Sequence, residues 1–225
     1  MRKLQENNTR GSILLHMLSA AVSLFVNGLG VYLTIHANIG AAPWDVFNLG
    51  LSRTFGMIYG NASIMVSLLI LLIDVLLREP IGIAMFIDAV VVGKAVVFFN
   101  FIDIVPAPRT IAGSILMTFI GLVILGYTQG AYMASALGCG PRDTLLVGLK
   151  KRLKKVPIGV VSILLLSVIT TAGYLLGGPV GLGTVLCALC TGPIMQFAFS
   201  TMRFRAEGIV HQSLGDSLKI LTGRK

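Results

Sequence analysis

Gly40-Ala41-Ala42-Pro43-Trp44-Asp45 and Gly138-Cys139-Gly140-Pro141-Arg142-Asp143 follow one pattern, G-x-x-P-x-D, spaced 98 residues apart. Each stretch ends a long apolar run. Each is followed at equal distance by a Gly-Leu pair, Gly50-Leu51 and Gly148-Leu149. Polar, helix-breaking backbone is costly in a bilayer unless it packs inside protein or lines a cavity. A matched pair of broken segments in the two halves of a chain points to a binding site of the transporter kind.

Composition makes the bilayer the right solvent to reason in. Of 225 residues, 55% are hydrophobic and only 12% are charged, and the mean hydropathy is +0.88. A soluble domain carries about 25% charged residues. The chain is therefore expected to be an integral membrane protein. Its net charge of +9 reads as cytoplasmic loops against anionic lipid, with no nucleic-acid partner. The basic start and apolar run resemble a signal peptide. That run continues to His36 without a small-x-small cleavage site, so it reads as a first membrane helix that also targets the chain.

Six membrane helices are expected, at 13–36, 61–77, 81–102, 111–136, 156–176 and 181–202. Short helices follow the two breaks, at 43–54 and from 141 to about 150. Pro43 suits a first helical position and Asp45 the first turn. The fold class is an all-α, six-span membrane protein built as two inverted three-helix repeats, each with a broken, re-entrant segment. The first repeat is 1–105, the second 106–202, and 203–225 is a cytoplasmic tail with a weakly amphipathic stretch from Ile209 to Leu221.

The repeat rests on punctuation shared in order. At an offset of 98, Gly28, Gly40, Pro43, Asp45 and Gly50 match Gly126, Gly138, Pro141, Asp143 and Gly148. After one inserted residue, Gly60, Pro80, Gly82 and Gly93 match Gly159, Pro179, Gly181 and Gly192. With the N-terminus inside, 15 of the 18 lysines and arginines fall in cytoplasmic segments, a strong positive-inside bias. Three crossings per repeat is an odd number, so the second repeat is inverted. The first break then enters from the outer face and the second from the cytoplasmic face.

Single residues carry the candidate chemistry. Asp45 and Asp143 either face a central cavity and bind a cation, a proton or a polar solute, or stabilise the positive end of their own short helices. Trp44 and Arg142 occupy the same repeat position. Trp44 reads as an interfacial anchor and Arg142 as a positive-inside residue, or each as a specificity element at its gate. Asp88 and Lys94 are ionisable groups inside a span, six residues apart and therefore on separated faces. Lys94 is a candidate for a charge facing the cavity. Asp74 and Asp103 are expected to reach the interface. Asn27, Gln129 and Gln196 read as buried amides that join helices or touch solute. Cys187 and Cys190 read as packing residues, with no histidine nearby to complete a metal site. The candidate site residues are thus Gly40, Pro43, Trp44, Asp45, Gly138, Pro141, Arg142, Asp143, Asp88 and Lys94.

No phosphate loop, metalloprotease motif or nucleophile elbow occurs, so neither an enzyme, a cofactor nor a metal is expected. The leading expectation is a small-solute transporter or exporter working by alternating access. The alternative is a membrane scaffold that regulates a partner through its basic face, at Lys150–Lys155 and the tail. A homodimer fits a bundle this small.

The stretch Gly28-Leu29-Gly30-Val31, then Asn38-Ile39-Gly40, Ala42-Pro43-Trp44-Asp45-Val46, Gly50-Leu51-Ser52, Gly56 and Gly60 resembles the YczE/YitT group of bacterial membrane proteins. In that group a Gly-x-x-Pro-Trp-Asp segment follows the first helix. The resemblance implies a bacterial inner-membrane location and little biochemistry. It also implies that Asp88 and Lys94 are local features, since the group carries small apolar or amide residues there.

Overall fold

A computed structural model describes residues 10–204 and 214–215. The basic residues before Arg10 and most of the tail, including all but 214–215 of the stretch from Ile209 to Leu221, lie outside the described residues. Eight helices are described, with no strands among these residues: α1 Arg10–His36, α2 Pro43–Phe55, α3 Tyr59–Leu76, α4 Ile83–Ile102, α5 Ile111–Ala134, α6 Pro141–Arg152, α7 Ile158–Leu175 and α8 Leu182–Thr201. All but α2 and α6 are long and apolar enough to cross a membrane. The expected spans agree to within a few residues, and both short helices stand where the breaks place them.

The side chains are sorted as a bilayer requires. Phe101, Leu175, Leu15 and Leu189 are among many large apolar groups pointing outward. Inside lie Asn48, Thr34 and Thr118, along with Tyr32 and Tyr132, all essentially inaccessible. Apolar groups face lipid and polar groups face protein, because an unpaired polar group in hydrocarbon costs several kcal/mol, about the same as a lost hydrogen bond without water to replace it. Asp74 departs from expectation. It does not reach the interface but is fully buried, and neither carboxyl oxygen has a hydrogen-bond partner. Asp103 does reach the surface, 3.8 Å from His36. Gln196 is exposed on α8 rather than buried.

α1 and α5 form the central pair and cross where Gly30 and Gly121 bring their backbones together. α4 packs on α1 and α8 on α5. α2 lies against α7, and α6 against α3. The breaks are what position the site. Pro43 and Pro141 start α2 and α6, where a missing N–H costs nothing and the fixed φ suits the helix.

Each break is seated on the opposite half of the chain. Gly40 adopts φ +108°, and a Cβ there would stand 2.6 Å from the Gly181 nitrogen. Gly138 adopts φ +125°, and its Cβ would stand 2.9 Å from the Gly82 Cα. Both positions need glycine twice over, for the left-handed backbone and for the close approach. The backbone hydrogen bonds run the same way. Gly183 N–H donates to the Ile39 carbonyl at 2.6 Å, and Ala84 N–H donates to the Leu137 carbonyl at 3.2 Å. These bonds satisfy groups that the broken helices leave open.

Replacing Gly40 or Gly138 by alanine is expected to lower unfolding stability by about 1–3 kcal/mol, through strain and clash together. Gly11→Ala, with nothing within 4 Å of the added carbon, is expected to be near neutral. Thermal unfolding of the purified protein in detergent checks the contrast.

Candidate functional site

The seated breaks bring two helix N-termini to a central cavity of about 440 Å³. Residues from all eight helices line it. Its charged members are Asp45 of α2, Asp88 of α4, and Arg142 and Asp143 of α6. Leu122, Leu125, Leu166 and Met195 supply apolar wall. Such a mixture, mostly apolar with a few placed polar groups, is usual for small-molecule sites.

The two aspartates are held by neighbouring helices. Tyr59 donates its hydroxyl to Asp45 Oδ1 at 2.8 Å. Gln129 donates Nε2 to Asp143 Oδ2 at 2.8 Å. Ala42 and Gly140 occupy the N-cap positions, and no side chain caps either helix. Both readings of these aspartates keep their footing: each stands in the first turn of its short helix, where the dipole favours negative charge, and each also accepts a side-chain bond from another helix at the cavity wall. Burial pushes both carboxyls above their ordinary range, and the Arg142 charge, then the Tyr59 or Gln129 bond, pulls them back. Burial also pushes the Cys139 thiol beside them up to about 11.

Trp44 and Arg142 meet across the cavity. The guanidinium lies 5.3 Å from the indole centroid, a cation–π contact between equivalent positions of the two breaks. Neither is a simple surface anchor. Asp88 leans on the second break: a Cβ on Gly140 would stand 2.7 Å from its Oδ2.

Other candidates sit elsewhere. Lys94 is exposed on the outer face of α4 and takes no part in the cavity. Six residues turn a helix through about 240°, so Asp88 and Lys94 cannot share a face. Gly40, Gly138 and Pro141 hold the breaks in place without lining the cavity. Cys187 lines it with a free, buried thiol. Asn27 donates to Thr128 at 2.9 Å and ties α1 to α5, and it also lines the cavity, so both roles read for it, joining helices and touching solute, stay open. Sequence reasoning missed Ser63, Ser67, Ser162 and Thr191, and it missed Tyr59 as the partner of Asp45. For Ser63 and Ser67 a signal was present, since both lie on the helix face of Gly60, at i+3 and i+7.

At the far end of α6, the nearly buried Glu79 carboxylate takes Lys151, and Arg152 at 3.5 Å. These contacts bind the basic end of α6 to the turn between α3 and α4.

Comparison with known proteins fits this architecture. Residues 14–200 match the model of a family of unknown function, DUF6198. The chain belongs to that family. Among DUF6198-like relatives, the Bacillus subtilis (strain 168) "Uncharacterized membrane protein YczE" is 35% identical over 177 residues, covering 78% of this chain and 81% of that protein. An "Uncharacterized protein" of Haemophilus influenzae is 32% identical over 187 residues, covering 83% and 81%. The Bacillus subtilis "Uncharacterized protein YyaS" is 26% identical over 181 residues. No solved structure matches. The YczE part of the resemblance read from the first break is thereby shown, and this DUF6198 chain is a multi-pass membrane protein.

The Tyr59–Asp45 bond is expected to be energetically coupled. Tyr59→Phe alone should destabilise by about 1–3 kcal/mol, by leaving a buried acceptor short of a donor. In a double-mutant cycle with Asp45→Asn the coupling should exceed about 0.5 kcal/mol. Urea unfolding of the four proteins in mild detergent measures it.

Proposed function

We propose that this protein is a small-solute transporter of the bacterial cytoplasmic membrane, working by alternating access between two inverted three-helix repeats, with its N-terminus inside. The positive-inside charge distribution supports the orientation. The cross-seated breaks support the repeats: exchanging each residue for its counterpart turns the Gly40–Gly181 contact into the Gly138–Gly82 contact. The same exchange turns the Gly183–Ile39 backbone bond into the Ala84–Leu137 bond.

The observation that carries the reading is an inequality between equivalent helix pairs. α3 and α4 meet at Gly60 and Gly93, where an added Cβ would stand 2.7 or 2.9 Å from the other glycine's carbonyl oxygen. Their counterparts on α7 and α8, Gly159 and Gly192, have nothing within 4 Å, and those two helices scarcely touch. One sequence pattern thus occupies a closed and an open state at once. Gly60 lies at the outer end of α3 and Gly159 at the cytoplasmic end of α7. The state described is then closed outside and open inside, and exchanging the two arrangements gives the outward-open state.

A second space of about 450 Å³ lies at the outer end, lined by Tyr32, His36, Tyr59 and Asn100 among others. Tyr59 borders this vestibule and also bonds Asp45, which borders the central cavity. In this reading Tyr59 and the Gly60–Gly93 contact form the outer gate. Opening that gate breaks one hydrogen bond and one helix contact, a change of a few kcal/mol, in keeping with a populated alternation.

The scaffold alternative draws less support. Two cations of its proposed contact surface, Lys151 and Arg152, are turned onto Glu79 within the protein.

The alternation has a direct test. In a background without the native cysteines, Gly159→Cys and Gly192→Cys together should form a disulfide on mild oxidation, because the outward-open state closes α7 on α8. Both sites have room for the added side chain. A pair that never cross-links in membranes, at any temperature at which the protein stays folded, would rule the alternation out.

A further inference from the structure

The central cavity is unbalanced in charge. Three carboxylates, Asp45, Asp88 and Asp143, face one guanidinium, Arg142. Arg142 forms no ion pair within 4 Å with any of them among the described residues, and it stands over Trp44 instead. In a low-dielectric interior an uncompensated charge is costly, and sites of this kind bind or release the balancing charge as part of their work.

A second observation points into the same space. Ser63 is 2% exposed and Ser67 6% exposed, and both line the cavity. Neither hydroxyl has a hydrogen-bond partner among the described residues, although buried hydroxyls are normally paired. Both border the cavity space, where a bound molecule could complete their bonding. Among the described residues the acids do not gather into a group that could hold a metal ion. The carboxylates are spread around a space whose wall is mostly apolar, with Leu122, Leu125, Leu166 and Met195 among it, and which Asn27, Gln129, Ser162 and Thr191 also line. That arrangement suits a charge dispersed over a large body better than a compact hydrated ion. The indole face of Trp44 adds a surface that favours cations.

We propose that the cavity takes a bulky organic cation with an apolar body, its charge compensated by Asp45, Asp88 and Asp143 and its rim contacted by Ser63 and Ser67. The proposal rests on the transport reading only in treating this cavity as the solute site. Arg142 then offsets part of the repulsion among the carboxylates. It leaves the site with a net negative field rather than neutralising each acid in turn. An anionic solute would meet three acidic groups and a single guanidinium.

Trp44 is the only tryptophan in the chain and it lines the cavity, so its fluorescence reports on occupancy without any label. The protein in lipid nanodiscs is titrated with tetraphenylphosphonium and, separately, with tetraphenylborate, a body of the same shape and opposite charge. Empty nanodiscs serve as the blank for partitioning into lipid. The expected result is saturable quenching by the phosphonium alone. Its affinity should fall by about tenfold or more in Asp88→Asn, since removing one member of a desolvated charge contact costs at least that factor. Asp143→Asn carries the same expectation if Asp88→Asn does not fold. Saturable quenching by the borate with equal or higher affinity overturns the proposal. So does phosphonium binding that both aspartate variants leave unchanged, or the lack of any saturable response.

The assay needs no gradient and no movement. Phosphonium binding without a 159–192 cross-link sinks the alternation and keeps the cation site. A cross-link without phosphonium binding does the reverse.

Discussion

Everything in this fold depends on where the open backbone groups of two interrupted helices find their partners. In hydrocarbon they have no water to turn to. The chain answers by pushing each break into the other half, where a glycine lets two backbones approach to hydrogen-bonding range. Gly181 receives the Ile39–Gly40 corner and Gly82 receives the Leu137–Gly138 corner. Once seated, the corners aim α2 and α6 at the bundle centre, and a cavity with two helix N-termini at its wall is the geometric result. The polar residues of that cavity are affordable because the seats exist.

The same seats separate rigid parts from adjustable ones. At the Gly82 and Gly181 seats the close approach is accompanied by backbone hydrogen bonds, Ala84 N–H to Leu137 and Gly183 N–H to Ile39, which parting would break. Contacts between α3 and α4, and the gap between α7 and α8, involve helix surfaces that can part or meet without unpairing a peptide group. The transport reading proposed above would need that division, with a fixed site and movable walls. The Tyr59–Asp45 bond sits at the boundary, linking a wall residue to the fixed break.

Much of this was legible in the sequence. Spans, breaks and short helices follow from hydropathy, proline and glycine, since these act locally on the backbone. α2 and α6 begin at the two prolines of the G-x-x-P-x-D stretches. What the sequence hid is which way each side chain faces. Membrane helices are apolar nearly all round, so periodicity gives no facing direction. Lys94 and Asp88 therefore looked alike as intramembrane charges, and only packing put one outside and the other at the cavity. Asp74 looked like an interfacial residue because it is near a helix end, whereas α6 covers that end. Trp44 and Arg142 each had a sufficient local explanation, and their meeting depends on how two segments 98 residues apart come together.

The cross-seating also sets the order in which the protein can be completed. The corner at Gly40 is made early, but its seat at Gly181 is 141 residues further along. At about 5–20 residues per second of synthesis, roughly 7–28 s pass before the seat exists. Through that interval the first five spans are made and can enter the bilayer, yet the break between the first two has unpaired peptide groups and nothing to bind. The nascent chain is therefore a client for whatever shelters polar backbone at the insertion site, and the last helix to arrive is the one that finishes the first.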